Sequence, residues 1–243
     1  MDYEKILKSF QLETTTIWSF PIRGEWYTHN GDYPGNWSPY IPRNLILKYT
    51  KENEWILDQF MGSGTTLIEA KLLNRNIIGT DINIKAYNIT KNRLKFDYKS
   101  TSHIYIKLCD AQRLSFIKDN SISLICTHPP YADIIKYSIN TPHDISLLTY
   151  DIYLQAIYNV AKEAYRVLKI NRICAIMIAD IRKNGQFIPL GHYVMDQFLK
   201  VGFILKDIVI KEQHNCKSLN KWSKMKHECY LIKHEYIFIF QKK

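Results

Sequence analysis

Three aspartates and a glycine turn are the residues of this sequence whose types and spacing could bind a small molecule. Asp58, Asp81 and Asp110 each follow a short apolar run, and the turn from Met61 to Gly64 comes soon after the first of them. In an open α/β sheet, ligands bind at the carboxyl ends of the strands. A carboxylate there can accept hydrogen bonds from a ribose diol or an adenine amino group, and glycines let the backbone approach a ligand closely. The order and spacing of the acids favour such a ligand over three unrelated structural caps.

The glycine turn lacks the features of a phosphate-binding loop. No Gly-Lys-Ser/Thr follows it. The carboxylate of Asp58 beside the glycines would also repel a phosphate group. We therefore expect a ligand that does not place its phosphates at this turn.

The elements that must position these residues are strands alternating with helices. The apolar runs predict strands at Trp55–Phe60, Asn76–Asp81, Ile104–Leu108, Ile122–Cys126, Arg172–Ile178, Ile204–Ile210 and Tyr236–Gln241. Helical periodicity predicts helices at Leu67–Leu73 (capped by Thr65 and Thr66), Ile84–Phe96, Tyr150–Leu168 and Pro189–Val201. This alternation is typical of a mainly parallel sheet with helices on both faces. The last two strands have no helix between them, which predicts an antiparallel pair at one edge.

The segment from Asp58 to Thr66 (DQFMGSGTT) resembles the Asp-Pro-Phe-x-Gly-Ser-Gly-Thr-Thr cofactor motif of the amino-group DNA methyltransferases, which modify cytosine N4 or adenine N6. Upstream, Trp37 to Leu45 lies where that family has a Pro-containing helix start against the methionine moiety. The resemblance covers Trp37 to Ile178 and implies a class I methyltransferase fold, which is Rossmann-like. It also implies S-adenosylmethionine as the cofactor. Gln59 replaces the usual proline, which loosens the turn.

The resemblance assigns parts of the cofactor to the acids at the strand ends. Asp58 and the glycine turn would lie near the methionine part, Asp81 on the ribose and Asp110 by the adenine. The cofactor-binding residues that we predict are Tyr40, Asp58, Phe60, Gly62, Gly64, Thr65, Asp81, Ile82, Asp110 and Ala111.

A second segment, His128-Pro129-Pro130-Tyr131, resembles the family's Asp/Asn/Ser-Pro-Pro-Tyr/Phe signature, which follows the fourth strand. An exocyclic amino nitrogen is a poor nucleophile because its lone pair is delocalised into the base. Two acceptors, the first side chain and the first proline carbonyl, can draw it toward a tetrahedral geometry for in-line attack on the methyl group. The prolines fix the backbone, and Tyr131 offers a face on which a flipped-out base can stack. We call these four residues the catalytic turn.

His128 departs from the family pattern. A neutral imidazole can accept one hydrogen bond, whereas an imidazolium accepts none. If His128 is the acceptor, activity should fall as the pH drops through the histidine range. The alternative is a spacer role, with only the Pro129 carbonyl accepting. A neutral acceptor favours cytosine N4 over adenine N6, because Ser at this position often accompanies cytosine N4 in the family.

Composition sets the class of protein. The 243 residues are 46% hydrophobic, enough for one α/β domain with a packed core. We find no apolar run long enough to span a membrane and no secretory pattern at the N-terminus, and the five cysteines form no CxxC pair. These features favour a cytoplasmic protein with reduced thiols. The net charge of +10 favours an anionic partner, for which nucleic acid is the natural candidate.

We expect a single methyltransferase domain over 1–243, divided into an aromatic N-terminal extension (1–37), a cofactor and catalytic core (38–210), and a basic segment with the closing strand (211–243). The aromatic stretch from Trp18 to Trp37 and the basic stretch from His214 to His234 are candidates to contact double-stranded DNA. The loop from Ala132 to Thr149 is a candidate mobile loop beside the flipped base. The DNA-binding residues that we predict are Lys217, Lys221, Trp222, Lys224 and Lys226. A homodimer is left open.

No metal site is predicted, because the spacing of His214, Cys216, His227 and Cys229 is not a standard zinc pattern. Three alternatives to a cytosine N4 enzyme stay open. One is an adenine N6 DNA methyltransferase, and another is an RNA base methyltransferase acting, for instance, on guanosine N2 of tRNA. The third is a catalytically weakened DNA-binding subunit. By resemblance, the biological setting is a bacterial restriction-modification system.

Overall fold

A computed structural model of the chain describes residue 6, residues 9–215 and residues 227–243. Within these residues, ten strands form an eight-stranded sheet and a separate two-stranded hairpin. The sheet strands are β1 (Ile17–Ser19), β2 (Trp55–Asp58), β3 (Asn76–Asp81), β4 (Ile104–Leu108), β5 (Ile122–Thr127), β6 (Leu168–Ile178), β9 (Ile204–Glu212) and β10 (His234–Gln241). The hairpin consists of β7 (Ile181–Lys183) and β8 (Gln186–Ile188).

The strand order of the sheet is β1-β9-β10-β6-β5-β2-β3-β4. Strands β4, β3, β2, β5 and β6 are parallel to one another, whereas β10 is antiparallel to both of its neighbours, β6 and β9. The predicted mainly parallel sheet with an antiparallel pair at one end is therefore confirmed. Strand β1, which pairs in parallel with the outer side of β9, has no counterpart among the strands predicted from the sequence.

Helices cover both faces of the sheet. They are α1 (Tyr40–Tyr49), α2 (Thr65–Leu72), α3 (Ile84–Arg93), α4 (Tyr150–Val167) and α5 (Leu190–Val201). Successive strand residues point to opposite faces, so Ile56 packs with α1 and α2 while Leu57 packs with α4 and α5. No helix in the described part of the chain is both long and apolar enough to cross a membrane.

The start of α2 differs from the prediction. The helix begins at Thr65 and its N-cap is Gly64, whose φ of +85° is left-handed, and no side chain caps it. Thr65 and Thr66 lie inside the first turn and do not form the cap that we predicted. A left-handed N-cap needs a residue without a Cβ, which explains the glycine.

The aromatic N-terminal extension packs into the core. Trp18, Trp26 and Trp37 are 3%, 0% and 5% exposed, so these three rings pack inside the protein, while contact of the stretch from Trp18 to Trp37 with DNA stays a prediction. Burial of large aromatic surface is more favourable than its exposure to solvent, and the core of a sheet this size has room for it. The extension is also held by a buried carboxylate. Glu69 on α2 accepts a hydrogen bond from Trp26 Nε1 at 2.7 Å and pairs with Arg43 at 2.7 Å.

Candidate cofactor site and catalytic turn

The carboxyl ends of β2, β3 and β4 border a cavity with about 750 Å³ of empty space. Because neighbouring parallel strands end at the same edge of the sheet, the three acids predicted from the sequence meet there. The predicted cofactor residues that line the cavity are Asp58, Phe60, Gly62, Thr65, Asp81, Ile82, Asp110 and Ala111.

Two predicted cofactor residues do not line the cavity. The ring of Tyr40 packs against Phe20 at 5.3 Å and Trp26 at 5.0 Å between ring centroids. Gly64 lies behind the turn, where an added Cβ would come within 2.9 Å of Thr90 Cγ2. Its glycine is therefore explained by backbone conformation and close packing and not by contact with a ligand.

Asp81 is arranged to present an ionised carboxylate to the cavity. Its Oδ2 accepts the backbone N–H of Gly62 and its Oδ1 accepts that of Asn83, both at 2.9 Å. Burial nevertheless raises the pKa of Asp81 to about 6. Each carboxylate oxygen retains a lone pair, so the two together can accept the hydrogen bonds of a vicinal diol.

Asp58 lies deeper, at the junction of the cavity with the catalytic turn. It is 2% exposed and accepts hydrogen bonds from Thr127 Oγ1 at 2.8 Å and from the backbone N–H of Phe60 at 3.1 Å. Burial raises the pKa of Asp58 to about 6 as well. A bound cation near this carboxylate would favour its ionised form.

Gln59, which stands where the family has proline, gives a test of whether the cavity fits S-adenosylmethionine. Its side chain is fully buried on the cavity wall, and Nε2 lies 3.4 Å from the carbonyl oxygen of Ala111. Its Oε1 has no hydrogen-bond partner among the described residues. A buried acceptor without a partner is costly unless a ligand donates to it. An acceptor here, with Asp110 and Ala111 beside it, suits an adenine amino group.

The residues that cover the cofactor cavity were not predicted from the sequence. Tyr33 from the N-terminal extension stacks on Tyr137 from the loop after the catalytic turn, with 5.9 Å between centroids and 18° between planes. The backbone carbonyl of Tyr137 accepts a hydrogen bond from Asn83 Nδ2 at 2.7 Å. Asp144, from the same loop, also lines the cavity and is 5% exposed. No motif marks these residues, since they come from loops that meet only in the folded chain.

The loop from Ala132 to Thr149 forms more regular structure than the irregular stretch that the sequence predicts. It contains two 3₁₀ turns, Ala132–Ile134 and Ile145–Leu147. Asp144 caps the second by accepting the backbone N–H of Ser146 at 2.9 Å, and its other oxygen accepts from Ser138 at 2.6 Å. These contacts fix the part of the loop that borders the cavity.

The catalytic turn follows β5, whose neighbours in the sheet are β2 and β6. It is therefore adjacent to Asp58, and His128 and Pro130 line the cofactor cavity. Pro129 is buried, and the Pro130 carbonyl accepts a hydrogen bond from the Tyr153 hydroxyl at 2.7 Å. The prolines and this bond from α4 hold the turn in place before any substrate binds.

Inside the turn, His128 and Tyr131 are linked. Nε2 of His128 lies 2.8 Å from the Tyr131 hydroxyl, which donates to Oε1 of Glu235 at 2.6 Å. The imidazole also stacks on Trp37, with 5.6 Å between centroids. Burial lowers the pKa of His128 to about 4, although Glu235 acts in the opposite direction. A pKa of about 4 keeps the imidazole neutral through the ordinary histidine range, so the loss of activity predicted from the sequence is expected only at lower pH.

A second cavity lies on the other side of the catalytic turn and holds about 1390 Å³ of empty space. All four residues of the turn line it, and His128 and Pro130 line both cavities. Its opposite walls come from the N-terminal extension and from β9, and include Phe20, Arg23 and Lys211. The predicted DNA-binding residues Lys217, Lys221, Trp222, Lys224 and Lys226 lie outside the described residues.

This chain is similar to a known protein family and to several known proteins. The profile of a family described as DNA methylase matches residues 2–92 and 122–243. A type II methyltransferase of Lactococcus lactis, M2.LlaDCHI, is 40% identical over 78 residues, which cover 32% of this chain and 29% of the relative. The type II methyltransferase M.HindIII of Haemophilus influenzae is 56% identical over 50 residues, covering 21% and 16%. The matched stretch thus spans less than a third of either relative.

Solved structures support the fold. A SAM-dependent methyltransferase from Methanosarcina mazei superposes with a TM-score of 0.58 at 16% identity, covering 82% of this chain and 96% of that one. TrmN from Thermus thermophilus gives a TM-score of 0.59 at 16% identity, covering 86% and 50%. Both the class I methyltransferase fold and the cavity at its strand ends agree with the cofactor implied by the sequence motif. The chain belongs to the DNA methylase family of N6- and N4-amino methyltransferases, and its cofactor is S-adenosylmethionine.

Proposed function

We propose that this chain transfers a methyl group from S-adenosylmethionine to the exocyclic amino group of a flipped-out base in duplex DNA. The observation that carries the proposal is the catalytic turn shared between two cavities. His128 and Pro130 line both the cofactor cavity and the cavity on the other side of the turn. A base in the second cavity would meet the cofactor across the turn. The net charge of +10 suits a polyanionic substrate.

When bound, S-adenosylmethionine supplies a methyl group activated by its sulfonium. The protein's task is to hold the ribose on Asp81, the adenine by Asp110 and Gln59, and the methionine part near Asp58 and the glycine turn. On the substrate side, the Pro129 carbonyl and the His128 imidazole are the acceptors for the amino N–H bonds. Two such acceptors localise the nitrogen lone pair and orient it for in-line attack. Tyr131 supplies the stacking face.

Cytosine N4 is the favoured target. A neutral imidazole occupies the first position of the turn, and no carboxylate stands there. In the family pattern, Ser at the first position of the turn often accompanies cytosine N4, whereas Asp or Asn accompanies adenine N6. A neutral acceptor that is not an amide therefore favours cytosine N4. Adenine N6 is the second candidate. Because the relatives named above are type II methyltransferases, we infer that this chain is the modification enzyme of a restriction-modification system.

An RNA substrate is the other enzymatic alternative. A tRNA (guanine(10)-N2)-dimethyltransferase of Methanothermobacter thermautotrophicus is 36% identical over 100 residues, covering 41% of this chain and 29% of that protein. Methyl incorporation from labelled S-adenosylmethionine into duplex DNA and into tRNA, measured side by side, separates the two. Incorporation into tRNA alone would replace the DNA proposal. Cofactor and DNA binding without transfer to either would favour the weakened binding subunit.

The decisive experiment identifies the modified base. The chain is expressed in a host lacking DNA methylation, and the genomic DNA is sequenced by a method that distinguishes N4-methylcytosine from N6-methyladenine. We expect N4-methylcytosine at a short recurring site. The matched control is Asp81→Asn, in which weaker cofactor binding should reduce the mark. Absence of both marks in the unaltered protein's host would contradict the proposal.

A further inference from the structure

A buried ion pair lies directly beneath the catalytic turn. Glu235 on β10 and Lys211 on β9 are partners in the antiparallel ladder, and Lys211 Nζ lies 3.0 Å from Glu235 Oε2. Glu235 is only 7% exposed. Burying a carboxylate is costly unless it is paired and hydrogen-bonded. Because β10 is antiparallel to β6, its first residues reach the edge of the sheet where β5 ends in the turn.

The ion pair continues into the turn through hydrogen bonds. Oε1 of Glu235 accepts the hydroxyl proton of Tyr131 at 2.6 Å, and the Tyr131 oxygen lies 2.8 Å from Nε2 of His128. A tyrosine has one hydroxyl proton. Since that proton is given to Glu235, the Tyr131 oxygen must accept from His128. Nε2 therefore carries the proton of the neutral imidazole, and Nδ1 keeps its lone pair.

We propose that Glu235, supported by Lys211, is a positioning residue that fixes His128 in the Nε2–H tautomer through Tyr131. The inference rests on the proposed function for its catalytic meaning, but the hydrogen-bond chain itself is a property of the protein alone. Glu235 and Lys211 also line the cavity that we assign to the base.

The charge state of Glu235 agrees with this role. Burial alone would raise its pKa, but the Lys211 ammonium and the hydrogen bonds from Tyr131 and Lys211 hold the pKa below its ordinary value. The carboxylate is then an acceptor only and cannot donate to Tyr131. Each hydrogen bond is therefore donated in the direction from His128 through Tyr131 to Glu235. Lys211 sets this direction because it keeps Glu235 ionised.

A glutamine at position 235 should reverse that direction. Lys211 donates to the side-chain oxygen, so the amide NH₂ of the Glu235→Gln variant faces Tyr131. The Tyr131 oxygen then accepts from the amide and donates its proton to His128 Nε2. We expect the imidazole to switch to the Nδ1–H tautomer, which changes the ring nitrogen that carries the proton next to the substrate cavity.

Nitrogen-15 NMR of histidine-labelled protein reads the tautomer directly. The signal of His128 among the eight histidines is the one absent from His128→Asn. We expect the Nε2–H tautomer in the unaltered protein, the Nδ1–H tautomer in Glu235→Gln and a changed tautomer ratio in Tyr131→Phe. The matched control is Glu54→Gln, which removes a carboxylate paired with Arg172 next to β2 and β6 and should leave His128 unchanged. An Nδ1–H tautomer in the unaltered protein would overturn the proposal.

Kinetics gives the second readout. We expect Glu235→Gln and Tyr131→Phe each to lower kcat by about 10- to 100-fold, as loss of an orienting partner commonly does, with unchanged affinity for S-adenosylmethionine. The double variant should lose little more than either single variant, because both act through one chain. Fully additive losses of kcat in the double variant, or an equal loss of kcat in Glu54→Gln, would refute the proposal. If the unaltered protein methylates no nucleic acid, the proposed function fails, while the tautomer still decides the hydrogen-bond chain.

Discussion

Nε2 of His128 lies 2.8 Å from the hydroxyl of Tyr131, three residues further along the same turn. The family pattern assigns these side chains separate roles, one as a hydrogen-bond acceptor and one as a stacking face. In this chain the contact couples them, so Nε2 is not available to the substrate. In the proposed reaction, the Pro129 carbonyl is the acceptor for the amino group that this contact leaves unaffected. The roles of the turn are therefore better tested together than residue by residue.

The first prediction concerns pH. Because burial lowers the pKa of His128 to about 4, the neutral imidazole should persist across the ordinary histidine range. We expect kcat at saturating S-adenosylmethionine to stay level between about pH 5.5 and 8 and to fall only in stronger acid, where the imidazole gains a proton. A decline centred near the ordinary histidine value of about 6.5, absent from His128→Asn, would contradict the burial that the structure shows.

The second prediction concerns cofactor affinity. Asp81→Asn removes the charge from the carboxylate that faces the cavity, and its amide nitrogen cannot accept hydrogen bonds. Hydrogen bonds to a charged group contribute about 1.5–3 kcal/mol, so we expect about 10- to 100-fold weaker binding of S-adenosylmethionine by calorimetry. Asp97→Asn, at an exposed position, is the control. Equal affinities in the two variants would remove Asp81 from the site.

The third prediction is the pH dependence of that affinity. Burial raises the pKa of both Asp81 and Asp58 to about 6 in the ligand-free protein. A raised carboxyl pKa means that protonation begins at a higher pH than usual, so affinity should be full above about pH 7 and decline as the pH falls through 6. Calorimetry across this window should show a shallower decline in Asp81→Asn. An affinity that is level down to about pH 4 would contradict the assignment.

The fourth prediction concerns the roof of the cavity. Tyr137→Ala removes the ring that stacks on Tyr33. An aromatic pair contributes about 0.5–1.5 kcal/mol, so we expect S-adenosylmethionine to dissociate about 2- to 10-fold faster in stopped-flow measurements. Tyr137→Phe keeps the ring and loses only the hydroxyl, which lies 3.3 Å from the Pro34 carbonyl. It should behave like the unaltered protein, and a Phe variant as fast as the Ala variant would point away from stacking.

The fifth prediction concerns stability. Glu69→Ala removes the buried carboxylate that forms an ion pair with Arg43 and accepts the N–H of Trp26. Removing one member of a buried pair costs about 3–5 kcal/mol, which urea unfolding should measure. Glu52→Ala, at an exposed position, should change the free energy of unfolding by less than about 0.5 kcal/mol. Similar values for the two variants would show that the extension is not held by Glu69.

The strands and helices of the core were predictable because each depends on a local pattern. The strand Asn76–Asp81 and the strand Ile104–Leu108 were predicted to the residue. The N-terminal extension was not, since alternation cannot tell whether an aromatic residue near a chain end faces solvent or the core. The N–H of the buried Trp26 is satisfied by Glu69, which lies 43 residues away in the sequence.

The sequence alone determined where the proposed cofactor-binding acids, the glycine turn and the proposed catalytic turn lie, because each is a short run of residues at a strand end and a strand end is a local feature. Only the tertiary structure decided what surrounds them. Tyr33 and Tyr137 meet over the cavity from separate loops. Glu235 reaches Tyr131 across 104 residues because β10 runs antiparallel and starts at the edge where β5 ends. The environment that keeps His128 neutral and directs its proton is thus a result of strand order, which no local pattern encodes.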